Sequence, residues 1–124
     1  MSIKQDWLMR NIEMMIEILA RFIFHDQKVT YELPKQETFS GQQQLCNALE
    51  KLLEQKQIGK AEDMLYNNRK ENDENYIRIV IWFYQKINNY SDEELEQCNF
   101  PRQEIQQGLE DIVKQLQLPI APLL

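Results

Sequence analysis

The sequence predicts an all-α protein, and the prediction rests on few turn residues and on the helical spacing of its apolar residues. Its 124 residues include only 3 glycines and 4 prolines, whereas β-rich folds need many residues of this kind. Apolar side chains recur every three or four positions in about five segments, which is the period of amphipathic helices. With 43% hydrophobic residues, a chain of this length fits one helical domain, residues 1–124.

The first predicted helix, residues 4–25, has an unusually wide apolar surface. Five of its charged residues form one narrow polar strip: Asp6, Arg10, Glu13, Glu17 and Arg21. The opposite side carries Trp7, Leu8, Ile12, Met15, Ile16, Leu19, Phe22 and Ile23, and this apolar arc is widened by Met9, Met14 and Ile18. A surface helix needs an apolar stripe of only about 100°. We therefore expect cover from more than one direction, by its own domain, a second subunit or a partner.

Residues 26–39 lack helical periodicity. Val29, Tyr31 and Leu33 alternate with polar residues ahead of Pro34, which predicts a short extended segment or loop over the helices.

A helical hairpin is expected next, at residues 40–69. Its first helix, 40–56, begins at Ser40 as N-cap, and its second, 60–69, follows a turn around residues 57–59.

The fourth predicted helix, residues 73–89, has a strand as its rival because residues 77–84 are rich in β-branched and aromatic side chains. A helical-wheel projection favours a helix, because one side of it collects the apolar residues Ile77, Val80, Phe83, Tyr84 and Ile87. A capping-box pattern beginning at residue 91 predicts a short helix, 91–97. The last helix is expected at 101–117 and ends before the proline-containing apolar tail, 118–124.

The hairpin resembles one tetratricopeptide repeat. The large and small apolar positions of that pattern are occupied by Leu45, Leu52, Ile58, Ala61 and Leu65. The sequence departs from the pattern at Leu49, at Lys56 where glycine is common, and at Asn68. The resemblance implies antiparallel helical hairpins, arranged as a tetratricopeptide-like array or as an irregular bundle.

The whole chain also resembles a family of small all-helical bacterial proteins of unknown function, found mostly in Gram-positive bacteria. The resemblance lies in the opening Lys4-Gln5-Asp6-Trp7-Leu8-Met9-Arg10-Asn11-Ile12-Glu13 and in the ending Glu104-Ile105-Gln106-Gln107-Gly108-Leu109-Glu110-Asp111-Ile112. It implies an all-helical fold and a bacterial origin, and it implies no activity.

The chain lacks the residue sets that common catalytic and metal sites require. Its single histidine, His25, cannot supply the paired Glu-x-x-His motifs of a di-iron bundle, and its spacing to Cys46 and Cys98 does not fit a zinc site. We interpret His25 as a helix C-terminal residue and Gly108, inside the last helix, as a point of close helix packing. We therefore expect no enzyme activity, no cofactor and no metal.

Charge and cysteine content bear on partners and compartment. A formal net charge of −6 argues against nucleic-acid binding, because phosphate backbones repel an acidic protein. Cys46 and Cys98 lie far apart in the sequence and are expected to be reduced thiols. The opening residues do not resemble a signal peptide, and the apolar run 14–24 is too short and too charged to span a bilayer. These features predict a cytoplasmic protein without a transmembrane segment.

Two features beside helix 1 are candidates for binding. Trp82 has Arg78 and Lys86 one turn to either side. It either packs under the 26–39 segment or forms an exposed aromatic anchor, a residue type enriched at interface hot spots. The apolar tail either folds back on the domain or acts as a peptide-like ligand.

The function predicted from these surfaces is a non-catalytic protein–protein interaction or adaptor module. Its partner is another protein, a second copy of the chain, or both. The candidate partner-binding residues are Trp7, Met14, Ile18, Arg78, Trp82 and Lys86. Two alternatives stay open: peripheral membrane association through helix 1, which its acidic residues disfavour, and binding of a small ligand between helices.

Overall fold

A computed structural model describes residues 3–24, 40–70 and 73–116, and these ranges are helical with short connections. They contain no strand, which confirms the predicted all-α class. The predicted 26–39 segment, His25 and the apolar tail lie outside the described residues. In order, the helices of the described ranges are α1 (Ile3–Phe24), α2 (Ser40–Glu54), α3 (Ile58–Asn67), α4 (Glu74–Asn88), α5 (Asp92–Gln97) and α6 (Arg102–Gln115).

The central helix of the bundle is α4, which packs against α1, α2 and α6. The α1 helix also packs on α6, while α2 and α3 form a hairpin that packs on α4 through α2. The hairpin is also joined to α4 through α3, where the Leu65 carbonyl accepts from the Tyr76 hydroxyl at 2.6 Å. The apolar side predicted for α4 is buried as expected, but Tyr76, Ile79 and Ile81 are buried as well. A helix that is apolar on nearly all sides belongs in the interior. The β-branched content of residues 77–84 thus reflects burial of a helix and not a strand.

The turn between α2 and α3 lies earlier than the sequence predicted. Lys56 adopts a left-handed conformation, with φ of 61°. The Gln57 N–H donates to the Leu52 carbonyl at 2.9 Å, and the Lys56 N–H donates to the Leu53 carbonyl at 3.0 Å, which is the Schellman arrangement that ends a helix. Helix α3 consequently begins at Ile58 rather than at residue 60, and Gly59 lies inside its first turn and not in the turn between the helices.

Two helix starts are fixed by side-chain caps. The Ser91 hydroxyl accepts from the Glu94 N–H at 3.1 Å, and the Glu94 carboxylate accepts from the Ser91 N–H at 2.9 Å, so the predicted capping box is confirmed. The Asp73 carboxylate accepts from the N–H groups of Asn75 and Tyr76 at the start of α4. These caps fix the two ends of the 73–91 region and hence the position of α4 in the core.

Candidate functional site

The outer face of α1, defined by Trp7, Met14 and Ile18, is the most exposed apolar surface among the described residues. Trp7 is 61% exposed and Met14 is 53% exposed, while Ile18 is partly buried and packs against the core. The inner side of the same helix is buried against α4 and α6: Leu8, Ile12, Met15, Ile16, Leu19 and Ala20. The wide apolar arc predicted for this helix is therefore divided into a core side and an outer face.

Charged side chains flank this outer face. Arg10 lies 3.3 Å from Asp6, and Arg21 lies 2.7 Å from Glu17, each pair one helical turn apart. Both arginine side chains are more than 70% exposed. Exposed pairs of this kind contribute roughly 0.3–0.5 kcal/mol to a helix, so they add little to the fold and can be rearranged at low cost.

The second predicted surface, on α4, is less open. Trp82 is half-buried and packs against the core. The Lys86 ammonium lies 5.8 Å from the centroid of its ring, within range of a cation–π interaction, while Arg78 is 3.4 Å from Glu74. The structure therefore brings Trp82 and Lys86 together, but it does not present Trp82 as a prominent aromatic anchor. The six candidate binding residues are divided between α1 and α4.

A buried arginine that was not among the predicted site residues joins three helices. Arg102, at the start of α6, is 1% exposed and donates to the backbone carbonyls of Asn88 at 2.6 Å and Tyr90 at 2.9 Å. It also pairs with the Asp92 carboxylate at 2.9 Å. The Asn88 side chain in turn donates to the Met9 carbonyl of α1 at 3.1 Å. This network holds the end of α4 against the N-terminal part of α1.

One signal in the sequence pointed to this role. A cation in the first turn of a helix lies against the helix dipole, which is unfavourable unless other groups compensate. Here the compensation comes from the C-terminal carbonyls of α4, which attract a cation, and from Asp92. Arg102 is thus a structural residue, because its two terminal guanidinium nitrogens donate to groups of the same chain.

A polar cleft lies between α3, α4 and α6. It has a volume of about 340 Å³ and is lined by Glu62, Asp63, Tyr66, Tyr84, Gly108, Asp111, Lys114 and Gln115. The buried Tyr84 hydroxyl donates to the Glu62 carboxylate at 2.8 Å. A side chain at Gly108 would overlap this carboxylate, so the glycine permits the close packing of α6 against Glu62, as predicted.

The cleft raises the pKa of the partly buried Glu62 and of the buried Tyr84. Burial raises the pKa of Glu62, and the nearby Asp63, Glu104 and Asp111 carboxylates raise it further, while the Tyr84 hydrogen bond opposes the shift. Burial and the adjacent Glu62 carboxylate raise the pKa of Tyr84 well above its ordinary value. The phenol therefore acts as a hydrogen-bond donor at neutral pH. No sequence periodicity indicated this pair, since its members lie 22 residues apart.

Neither cysteine has the surroundings of an activated thiol. Cys46 is buried in the core, and burial raises its pKa to about 11. Cys98 is partly exposed, and burial also raises its pKa.

Within the described ranges, no three His, Cys, Asp or Glu side chains are grouped so as to hold a metal ion. None of the helices described has the length and apolar character needed to cross a membrane.

The fold and surfaces define a small all-α bundle with a buried central helix and an apolar outer face on its N-terminal helix. Residues 2–117 match the family of unknown function DUF6483. The chain belongs to this family, which confirms the predicted resemblance to a small helical family without known activity. No curated protein and no solved structure matches the chain.

Proposed function

We propose that this protein is a non-catalytic protein–protein interaction module that binds its partner through the outer face of α1. The observation that carries the proposal is the exposure of Trp7 and Met14 on a helix whose inner side chains from Leu8 to Ala20 are buried. Clusters of exposed large apolar side chains are typical of interaction sites, and tryptophan is enriched among residues that dominate binding energy.

The proposal involves no catalytic step. Nucleophilic catalysis by cysteine requires the thiolate, and the raised pKa of Cys46 leaves this form scarce at neutral pH. In the Glu62–Tyr84 pair, the phenol proton is already donated to the carboxylate of the same pair. Its arrangement is explained by packing around Gly108.

A membrane partner fits the α1 surface less well than a protein does. The polar strip of α1 has three acids, Asp6, Glu13 and Glu17, and two bases, Arg10 and Arg21. Helices that lie on anionic membranes are usually rich in Lys and Arg. The balance of charges on α1 supports a protein surface as its partner.

A second candidate function is binding of a small ligand in the polar cleft. Its volume of about 340 Å³ falls at the lower end of the range for small-molecule sites. A ligand bound there would contact Glu62 and Asp111, so a cationic or hydrogen-bond-donating compound fits best. A thermal-shift screen of small amines tests this function, and an unchanged melting temperature throughout the set would count against it.

Quantitative capture from lysate of the source organism tests the leading proposal. The variants are Trp7→Ala and Met14→Glu. The control is Gln44→Glu, at an exposed side chain of α2, which changes the charge by the same amount as Met14→Glu. We expect both α1 variants to lose the captured protein at least tenfold, while the control retains it. Circular dichroism should show unchanged helicity in all three, because each altered side chain is exposed. Full retention of the partner by both α1 variants would contradict the proposal.

A further inference from the structure

The charges beside the outer face of α1 are arranged so that the helix is complementary to itself. Trp7, Met14 and Ile18 follow one another at intervals of seven and four residues, a spacing that places them on one stripe of a helix. Arg10 and Glu17 lie seven residues apart along one flank of this stripe, and each is exposed. The stripe and flank together therefore have the form of half of a helix–helix interface.

We infer that the partner of this face is a second copy of the chain, bound through an antiparallel pairing of the two α1 helices. The inference rests on the proposed function and names the partner of the same surface. A twofold axis that places Trp7 beside Ile18 of the second copy also places Arg10 beside Glu17 of the second copy. The symmetry repeats both contacts, as an isologous interface requires.

The pairing keeps the charge pairs that each chain already has. Asp6 stays with Arg10, and Glu17 stays with Arg21, at the 3.3 Å and 2.7 Å separations seen in one chain. Across the interface Arg10 of one chain then faces Glu17 of the other, and Asp6 faces Arg21, so opposite charges meet at both positions. Opposite charges at flanking positions are the feature that sets partner and orientation in paired helices.

A parallel pairing does not use these charges. In parallel helices each flank meets the opposite flank of the other helix. The opposite flank of α1 contains Leu8 and Met15, which are 4% and 3% exposed because they pack inside their own bundle. The antiparallel arrangement alone brings the charged flanks face to face.

The size of the surface predicts a weak dimer. Helix α1 has 22 residues, which corresponds to a length of about 33 Å. It offers two strongly exposed apolar side chains, whereas stable interfaces bury roughly 800 Å² on each partner. We expect a dissociation constant in the roughly micromolar range, with weaker association at high salt because the charge pairs are exposed.

Sedimentation equilibrium of the full chain over a wide concentration range tests the pairing, with Arg10→Glu and Glu17→Arg as variants. Each variant alone places like charges across the interface, and we expect each to be monomeric where the wild-type chain is dimeric. In an equal mixture, one contact joins the two introduced side chains and the other joins the native Glu17 to the native Arg10. Both contacts then pair opposite charges, so a heterodimer should form. Lys51→Glu, an exposed reversal on α2, is the matched control and should dimerise normally.

The outcomes separate this inference from the proposed function. Dimerisation of the mixture but of neither variant alone supports the antiparallel pairing. A wild-type chain that stays monomeric at several hundred micromolar overturns it, and so does a dimer that both reversals leave unchanged. If the chain is monomeric but Met14→Glu still abolishes capture of another protein, the proposed interaction function stands. Only the identification of the partner as a second copy of the chain is then wrong. Circular dichroism of each variant confirms that it is folded.

Discussion

Gly108 illustrates how one residue of α6 permits a contact between three helices. Replacement by alanine would place a Cβ on the Glu62 carboxylate and 3.0 Å from the Tyr84 hydroxyl. Because the carboxylate ends a flexible side chain, Glu62 can turn towards solvent, but Tyr84 then loses its acceptor. A buried donor left without a partner costs about 1–3 kcal/mol, and the gain in helix propensity offsets roughly 1 kcal/mol of this.

The net effect of Gly108→Ala in the wild-type chain is therefore a loss of about 1 kcal/mol. In the Glu62→Ala background the carboxylate is already absent, so the same substitution should stabilise the protein by about 1 kcal/mol through helix propensity. The coupling between the two sites is then about 2 kcal/mol. Urea denaturation followed by circular dichroism measures all four proteins of this cycle. Equal stabilisation by Gly108→Ala in both backgrounds would refute the close contact.

Three further substitutions test other parts of the structure. Arg102→Met should destabilise the fold by about 3 kcal/mol or more, because it leaves buried carbonyls of the α4 end unpaired; a loss under about 1 kcal/mol in urea denaturation would disagree with this role. Glu62→Gln should change the pH dependence of stability. Folding raises the pKa of Glu62 above 4.5, so the folded state binds this proton more tightly than the unfolded state does. The stability of the wild-type protein should therefore fall relative to that of the variant as the pH rises from 4.5 through the raised pKa. Parallel unfolding curves of the two proteins at each pH check the sign, and a constant difference argues against the shift. Lys56→Gly should raise the melting temperature through a gain of about 1 kcal/mol, because residue 56 has a positive φ, whereas a decrease would indicate that its side chain contributes to the fold.

The helices could be predicted because their signals are local. The apolar side of α4 and the capping box at Ser91 both follow from residues within one or two turns of each other, and both agree with the structure. The start of α3 could not be placed because it depends on Lys56, a residue type that rarely adopts a positive φ. The turn predicted around residues 57–59 contains Gly59, whereas the positive φ is at Lys56.

The buried polar groups could not be predicted because their partners are distant in the sequence. Arg102 meets Asn88 across 14 residues, and Tyr84 meets Glu62 across 22. Hydrophobic periodicity carries no information about such pairs. The outer face of α1 was only partly predicted: the width of its apolar arc was evident, but the division between core and surface depends on how α4 and α6 pack against it.

The claim that the outer face of α1 contacts another protein is tested most directly by photo-crosslinking. A photoreactive amino acid is placed at Met14, which is 53% exposed. In a control protein the same amino acid is placed at Gln44, an exposed residue of α2. After illumination in cells of the source organism, we expect a discrete adduct from position 14 and little from position 44. An adduct of twice the chain's mass would identify a second copy of the chain as the partner. Equal crosslinking from both positions, or none from position 14, would show that this face of α1 is not the contact surface.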